Sequence, residues 1–240
     1  MTDCKSIKHV VGLSGGKDST AMALRLVELH PERDFEFICN ATGDELPEMV
    51  AHWEKLEMML GKPLKKVTYP GGLNALIEQL GMLPNFRARW CTRILKIEPT
   101  IEYFSSLPAG SVLYIGLRAD EETREGGLYG DDVLVNFPMR EWGWRECDVW
   151  EYLDAKGIKI PARTDCARCY GQRIGEWRDL WLNHPSIYED AAGQERRIGH
   201  TFRSDGRDTW NASLDFLAME FAAGRQVIER RSQTCRVCSL

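Results

Sequence analysis

The most constraining feature of the chain is an apolar run that ends in a glycine-bearing polar turn and then becomes a helix. Residues 8–13 (KHVVGL) read as a strand, and residues 14–19 are Ser-Gly-Gly-Lys-Asp-Ser. From Asp18, DSTAMALRLVELH has helical spacing, with Met22, Leu24, Leu26 and Leu29 available to a core. A strand that feeds a helix through so short a turn brings its carboxyl end and the helix N-terminus to one point. Glycines let the backbone N–H groups turn inward there, and the helix adds the positive end of its dipole. Ser14 and Ser19 can donate to phosphate oxygens, and Lys17 supplies a full charge. The stretch is therefore an anion-site candidate; the plainer alternative is a strand-to-helix turn with ordinary capping residues. The common ATPase loop needs four residues between its first Gly and the Gly-Lys pair, whereas Gly12 and Gly16 enclose three and Asp18 follows the Lys. The dinucleotide pattern G-x-G-x-x-G is also absent from this turn.

The same alternation continues along the chain. FEFICNA (35–41), LKKVTY (64–69) and SVLYIGL (111–117) read as strands, and VLVNF (133–137) as a further one. Between them LPEMVAHWEKLEMML (46–60) is a helix with Pro47 in its first turn. A helix over 73–80 follows Gly71-Gly72. RILKIEPTIEYFSS (93–106) is a helix or helix pair with Pro99 at an entry or kink, and ECDVWEYLDAKG (146–157) is a helix ending at Gly157. Strands alternating with helices predict an α/β fold with a doubly wound, mostly parallel sheet. Beyond Pro161 the chain turns rich in Arg, Cys and Trp, with helices near 171–183 and 212–223. The expected organisation is a nucleotide-binding α/β domain over 1–160 and a Cys-rich helical extension over 161–240 packed on it.

In an open sheet of this kind ligands bind outside the strand carboxyl ends. Thr42 and Asp44, after the second strand, and Arg118, after the fourth, are thus candidates beside Ser14, Gly15, Gly16, Lys17, Asp18 and Ser19. Asp44 or Glu45 would ligand Mg²⁺ or contact a ribose, and Arg118 would face a phosphate. Glu121, Glu122 and Glu125 read as solvated loop charges. With 240 residues, 43% hydrophobic and 28% charged, the composition is that of a folded domain. No apolar run is long enough to span a membrane, and MTDCKSIKHV lacks a signal-peptide core, so the expected location is the cytoplasm. A formal net charge of −5 argues against a broadly basic surface but leaves room for a local one. Arg87, Arg89 and Arg93 form one such cluster. Arg225, Arg230, Arg231 and Arg236 form another, read as solvated surface charge.

There are eight cysteines: Cys4, Cys39, Cys91, Cys147, Cys166, Cys169, Cys235 and Cys238. In a reducing compartment two C-x-x-C pairs point to metal or redox chemistry rather than to disulfides. Cys39 lies within a strand and reads as an ordinary buried thiol. Two metal sites compete on spacing: zinc held by Cys166, Cys169, Cys235 and Cys238, or an iron–sulfur cluster on Cys91, Cys166 and Cys169.

Ser-Gly-Gly-Lys-Asp-Ser resembles the PP-loop of the ATP-pyrophosphatase superfamily. The stretches NATGDELPE (40–48), RWCTRILKIEP (89–99), GLRADEE (116–122), FPMREWGWRECDVWEYL (137–153) and DCARCYGQRIGEW (165–177) are similar to segments of its phosphoadenosine-phosphosulfate (PAPS) reductase branch. The resemblance implies an adenine nucleotide alpha hydrolase-like fold and ATP with Mg²⁺ at the loop, with Lys17 and Asp18 catalytic. It also implies a [4Fe–4S] cluster, zinc being the alternative. Adenylylsulfate-type reductases hold such a cluster with an adjacent Cys-Cys pair and a later C-x-x-C. Here position 90 is Trp, so Cys238 or another tail cysteine is the fourth ligand, or one iron is open to carry an extra sulfur. The loop keeps both glycines and Lys17, where sulfonucleotide reductases usually have Ser-Phe-Gly. The tail reads TCRVCSL, not their Glu-Cys-Gly-Leu-His. Both departures favour an enzyme that adenylates an acceptor, releases pyrophosphate and delivers sulfur. The alternatives are a PAPS or adenylylsulfate reductase attacking through Cys235 or Cys238, and a zinc-stabilised nucleotide-binding module without turnover. The implied partners are an adenine nucleotide, a sulfur-donor protein and a nucleic-acid or small-molecule acceptor, with no membrane and with a homodimer as an option.

Overall fold

The computed structural model describes residues 6–124, 129–131 and 133–227. Five strands form one sheet: β1 (His9–Gly12), β2 (Phe35–Cys39), β3 (Leu64–Lys66), β4 (Val112–Tyr114) and β5 (Leu134–Asn136). Their order is β3-β2-β1-β4-β5 and every pairing is parallel, so the doubly wound sheet expected from the strand–helix alternation is the fold. β1 lies at the centre, with Val10 and Val11 fully buried. Its two neighbours, β2 and β4, follow it in opposite directions across the sheet. The loops after β1 and β4 therefore part around a crevice at the strand carboxyl ends, where such sheets bind ligands.

Helices α1 (Lys17–Leu29), α2 (Pro47–Leu60), α3 (Gly72–Leu80), α4 (Trp90–Thr92) and α5 (Glu98–Ser105) connect the strands. One sheet face buries Val11, Phe35 and Phe37 against Met22 and Leu26 of α1, Met49 and Leu56 of α2, and Val149 and Leu153 of a later helix. The other face packs Val10, Ile38 and Leu113 against Phe104 of α5. Leu29, expected in the core, is instead 41% exposed at the last position of α1. Residues 90–105 are one continuous helical stretch. A π-helical segment, Arg93–Ile97, joins α4 to α5, and Pro99, second residue of α5, lacks the N–H that would continue the helical hydrogen bonding at this junction.

After α6 (Pro138–Glu141) and α7 (Glu146–Ala155), three helices follow: α8 (Ile174–Asn183), α9 (Pro185–Ile198) and α10 (Leu214–Ala222). They build a second core around Trp177, Leu217 and Phe202 that also takes in Leu73, Leu76 and Ile77 of α3 and Leu95 of the π segment. Helix α9 is absent from the sequence reading. Its buried residues are Tyr188, Ala191, Ala192, Gln194 and Glu195, so few large apolar side chains mark it along the sequence. Among the described residues no helix is long and apolar enough to cross a membrane.

One close approach fixes the crevice. The chain leaving β4 passes Gly116 over the start of α1, and a Cβ there would lie 3.1 Å from the Ser19 nitrogen and 3.2 Å from the Asp18 carbonyl carbon. Both are backbone atoms, so neither can turn aside. Gly116→Ala is expected to push the two loops apart at an overpacking cost of about 1–3 kcal/mol. A fall in the urea midpoint at unchanged slope checks it.

Candidate functional site

The 14–19 turn is held from below and from the side. Gly15 has φ +86°, a conformation that suits glycine, and a Cβ on it would meet Trp53 Nε1 at 2.8 Å. Trp53 Nε1 donates to the Ser14 carbonyl at 2.9 Å. The amide of Gly15 donates to Ser19 Oγ at 3.2 Å and that of Gly16 to Ser14 Oγ at 3.4 Å, while the two hydroxyls stand 3.0 Å apart. The loop's donors thus converge on two serine oxygens that can rotate away when an anion arrives.

The charged residues of the turn face inward. The Lys17 side chain is 2% exposed; its ammonium lies 3.0 Å from both Asp18 carboxylate oxygens and 3.4 Å from Glu146 Oε1. Arg118, also buried, donates to Asp18 at 3.0 Å and to Asp120 at 2.8 Å. Burial raises the Asp120 carboxyl, but the Arg118 hydrogen bond and charge outweigh it and hold the group below its ordinary range. Lys17, Asp18 and Arg118, all expected at the nucleotide site, are brought together there in one ion network. Glu121 corrects another expectation. It is nearly buried, accepting the Arg118 amide at 3.1 Å and pairing with Arg124 at 2.5 Å, so it shapes this loop rather than dangling in solvent.

The residues after β2 belong to a second site. Glu45 caps its own turn, accepting from the Thr42 amide at 2.6 Å and the Gly43 amide at 3.0 Å. Asp44 is 5% exposed and both its oxygens are taken by Arg168: Oδ2 accepts from the backbone amide at 2.9 Å and Oδ1 from Nε at 2.7 Å. The role expected of Asp44, a Mg²⁺ ligand or ribose contact, is therefore displaced by a structural one. It locks the β2 loop to the Cys166–Cys169 loop, and an antiparallel bridge between Glu45 and Cys166 extends the contact. Arg168, buried between the two cysteines, escaped the sequence reading; only the C-x-x-C spacing around it hinted at a held loop.

This contact brings Cys91, Cys166 and Cys169 to the wall of one pocket that opens to the surface, with Thr42 and Lys96 also lining it. Thr42 Oγ1 donates to Cys166 Sγ at 3.3 Å. Burial pushes the Cys166 thiol up to about 12 and Cys169 well above its ordinary value, and raises Cys91; the charge of Lys96 opposes the shift at all three. Cys39, as expected, is an ordinary buried thiol, raised to about 12 by burial and remote from this pocket. Three thiols in a dry pocket beside a cation are a soft donor set, suited to iron–sulfur, zinc or copper(I) centres. Among the described residues no three His, Cys, Asp or Glu side chains close onto a single ion. Cys235 and Cys238, the expected tail ligands and nucleophiles, lie outside the described residues, as do Cys4, Glu125, Arg230, Arg231 and Arg236.

The two sites touch. Thr164, two residues before Cys166, puts its Oγ1 3.6 Å from the point where a Cβ on Gly16 would lie. One loop therefore borders both the phosphate-type turn and the thiol pocket.

Comparison with known proteins agrees with this architecture. The U34-tRNA thiolase NcsA from Methanococcus maripaludis, solved with its [4Fe-4S] cluster, is similar in fold. The TM-score is 0.50 at 21% identity, covering 89% of this chain and 80% of that one. An uncharacterized protein of Methanocaldococcus jannaschii is 24% identical over 217 residues, 82% of this chain; the chain spans about half the length of this curated relative. The family model for the phosphoadenosine phosphosulfate reductase domain matches residues 8–165, which include the turn, the β2 loop and Cys91, and the chain belongs to that family.

Proposed function

We propose that the chain binds ATP with Mg²⁺ at residues 14–19, adenylates an acceptor with release of pyrophosphate, and serves sulfur transfer to that acceptor. The observation that carries this reading is the contact between the two sites: the loop bearing Cys166 and Cys169 borders the turn at Thr164. A nucleotide-only module has no use for three thiols beside its phosphate loop. The tRNA-thiolase activity and cluster named for the structural neighbour support the same reading.

The chain's own residues would act as follows. Triphosphate oxygens replace the serine hydroxyls as acceptors of the Gly15 and Gly16 amides, while Ser14 and Ser19 rotate to donate. Lys17, held by Asp18 and Glu146, turns to the β- and γ-phosphates, while Arg118 keeps Asp18 in place. Glu146, half exposed beside Lys17, is the carboxylate able to turn to Mg²⁺. The acceptor oxygen attacks the α-phosphorus: an O–P bond forms, the bond to the β-phosphate oxygen breaks, and pyrophosphate leaves with its charge offset by the metal. A sulfide donor then forms a C–S bond at the activated carbon as the C–O bond breaks and AMP departs. Cys91, Cys166 and Cys169 would hold a [4Fe–4S] cluster, with a fourth ligand from Cys238 or an open iron. Such a cluster, when bound, supplies a site at which sulfur can be held for transfer. Residues 1–160 form the nucleotide-binding domain of this proposal and 161–240 its extension.

Incubation with ATP and a cognate acceptor should release pyrophosphate; orthophosphate as the only product would refute adenylation, and thiol-dependent sulfite release from PAPS would replace it with the reductase reading. Lys17→Ala removes the ammonium that would hold phosphate and that pairs with Glu146, leaving Asp18 to Arg118 alone, and a lost charge-assisted contact is worth about 1.5–3 kcal/mol. ATP affinity by calorimetry should fall roughly tenfold to more than a hundredfold.

Cys91→Ser separates the two sites. Protein purified without oxygen should lose iron and its visible absorption, while ATP affinity stays within about twofold, since the turn rests on backbone amides and serines. A colourless wild type holding one zinc that Cys91→Ser leaves in place would show the cluster assignment to be wrong.

A further inference from the structure

Between Glu78 and Glu98 the chain carries Arg87, Arg89, Arg93 and Lys96 and no acidic residue, in a protein of net charge −5. The fold lays this stretch along the rim of the thiol pocket, where Pro84, Cys91 and Lys96 form part of the wall. Just outside it the chain makes a tight turn over residues 85–88. Asn85 Oδ1 accepts from the amides of both Arg87 and Ala88 at 2.9 Å, and the Asn85 amide donates to the Ala88 carbonyl at 3.3 Å. This turn holds Phe86 out with 67% of its surface exposed, and Arg87 beside it is exposed too. Arg93, one helical turn past the pocket entrance, holds Glu98 at 3.0 Å and is still two-thirds exposed. Among the described residues Phe86 is one of the most exposed large apolar side chains, and it is fixed by a hydrogen-bonded turn rather than left on a frayed end.

An aromatic face flanked by guanidinium groups at a pocket rim has a definite complement. The ring offers stacking to a planar base, and the arginines offer charge to the phosphates on either side of it. A small sulfonucleotide would use the charge but has no need of a ring outside the pocket. An acidic protein surface would likewise need the charge alone. We infer that this rim is a docking surface for single-stranded polynucleotide, which brings a nucleobase to the thiol pocket as the acceptor. The inference rests on the acceptor chemistry proposed above and specifies its substrate class.

The test uses the full chain and a fluorescein-labelled single-stranded RNA of about 15 nucleotides, long enough to fill one such site. Anisotropy titration should give saturable binding whose log K falls with log salt. Phe86→Ala should weaken it roughly fivefold to a hundredfold with little change in that slope, because stacking is uncharged. Arg87→Gln should lower the slope by about 0.7, the contribution of one phosphate contact to a single strand. Both side chains are exposed, so unchanged thermal midpoints are expected and exclude misfolding. ATP affinity, measured on the same variants, should not move. RNA binding that ignores both substitutions overturns the proposal. So does a wild type that binds no RNA, including one that binds a small sulfonucleotide through Arg87 instead. Failure of ATP to bind, with RNA binding intact and sensitive to Phe86, would remove the adenylation reading and leave this surface standing.

Discussion

The buried ion pair between Asp44 and Arg168 is the contact on which the site depends. It joins the carboxyl end of β2 to a loop more than a hundred residues later, and it does so with both charges out of water. A pair of this kind is tolerable only when every oxygen and N–H has a partner. Here Asp44 accepts from the Arg168 backbone and side chain, and Arg168 NH1 goes on to Gln194 at 3.1 Å, which in turn reaches Asn74 at 3.0 Å. Losing one side of such a pair strands a buried charge, at about 3–5 kcal/mol. The chain therefore has one way to seat the Cys166–Cys169 loop, and that seat faces Cys91.

A second network does the same for the phosphate-type turn. Lys17, Asp18, Arg118, Asp120 and Glu146 come from three separate stretches, and the two cations pair with the three carboxylates beside the glycines. These pairs and the Trp53 and serine hydrogen bonds brace the turn from several sides. The segment carrying Cys91 is also held in an unusual state. The π-helical run Arg93–Ile97 widens the helix just after the cysteine, and such bulges are common where a side chain must be re-aimed at a functional site. Lys96 within it lines the thiol pocket.

Much of this was legible before any coordinates. The strand-turn-helix unit at 8–29, the repeated alternation and the parallel sheet follow from local periodicity, because a buried strand and an amphipathic helix each carry their pattern in adjacent residues. The two cysteine positions that matter most in the described residues, 91 and 166–169, were marked by spacing and by their surroundings. What escaped was non-local or faintly patterned. Helix α9 buries two alanines, a tyrosine, Gln194 and Glu195, so it lacks the large apolar residues by which a buried helix side is recognised in sequence. Glu121 looked like one of three loop acids until the fold turned it onto Arg118.

The sequence by itself determined the fold class, the phosphate-type turn and the presence of soft ligands, since each is a property of residues near one another along the chain. Tertiary structure decided which charges face the ligand and which support the loop. Lys17 and Asp44 carry side chains apt for phosphate or metal; the fold sets Lys17 between its neighbour Asp18 and the distant Glu146, and gives both Asp44 oxygens to Arg168. Only the folded chain shows that the turn and the thiol pocket share the loop at Thr164. The reason is that burial and pairing, not residue type, set what a charged group is free to do, and both depend on neighbours that only the three-dimensional chain supplies.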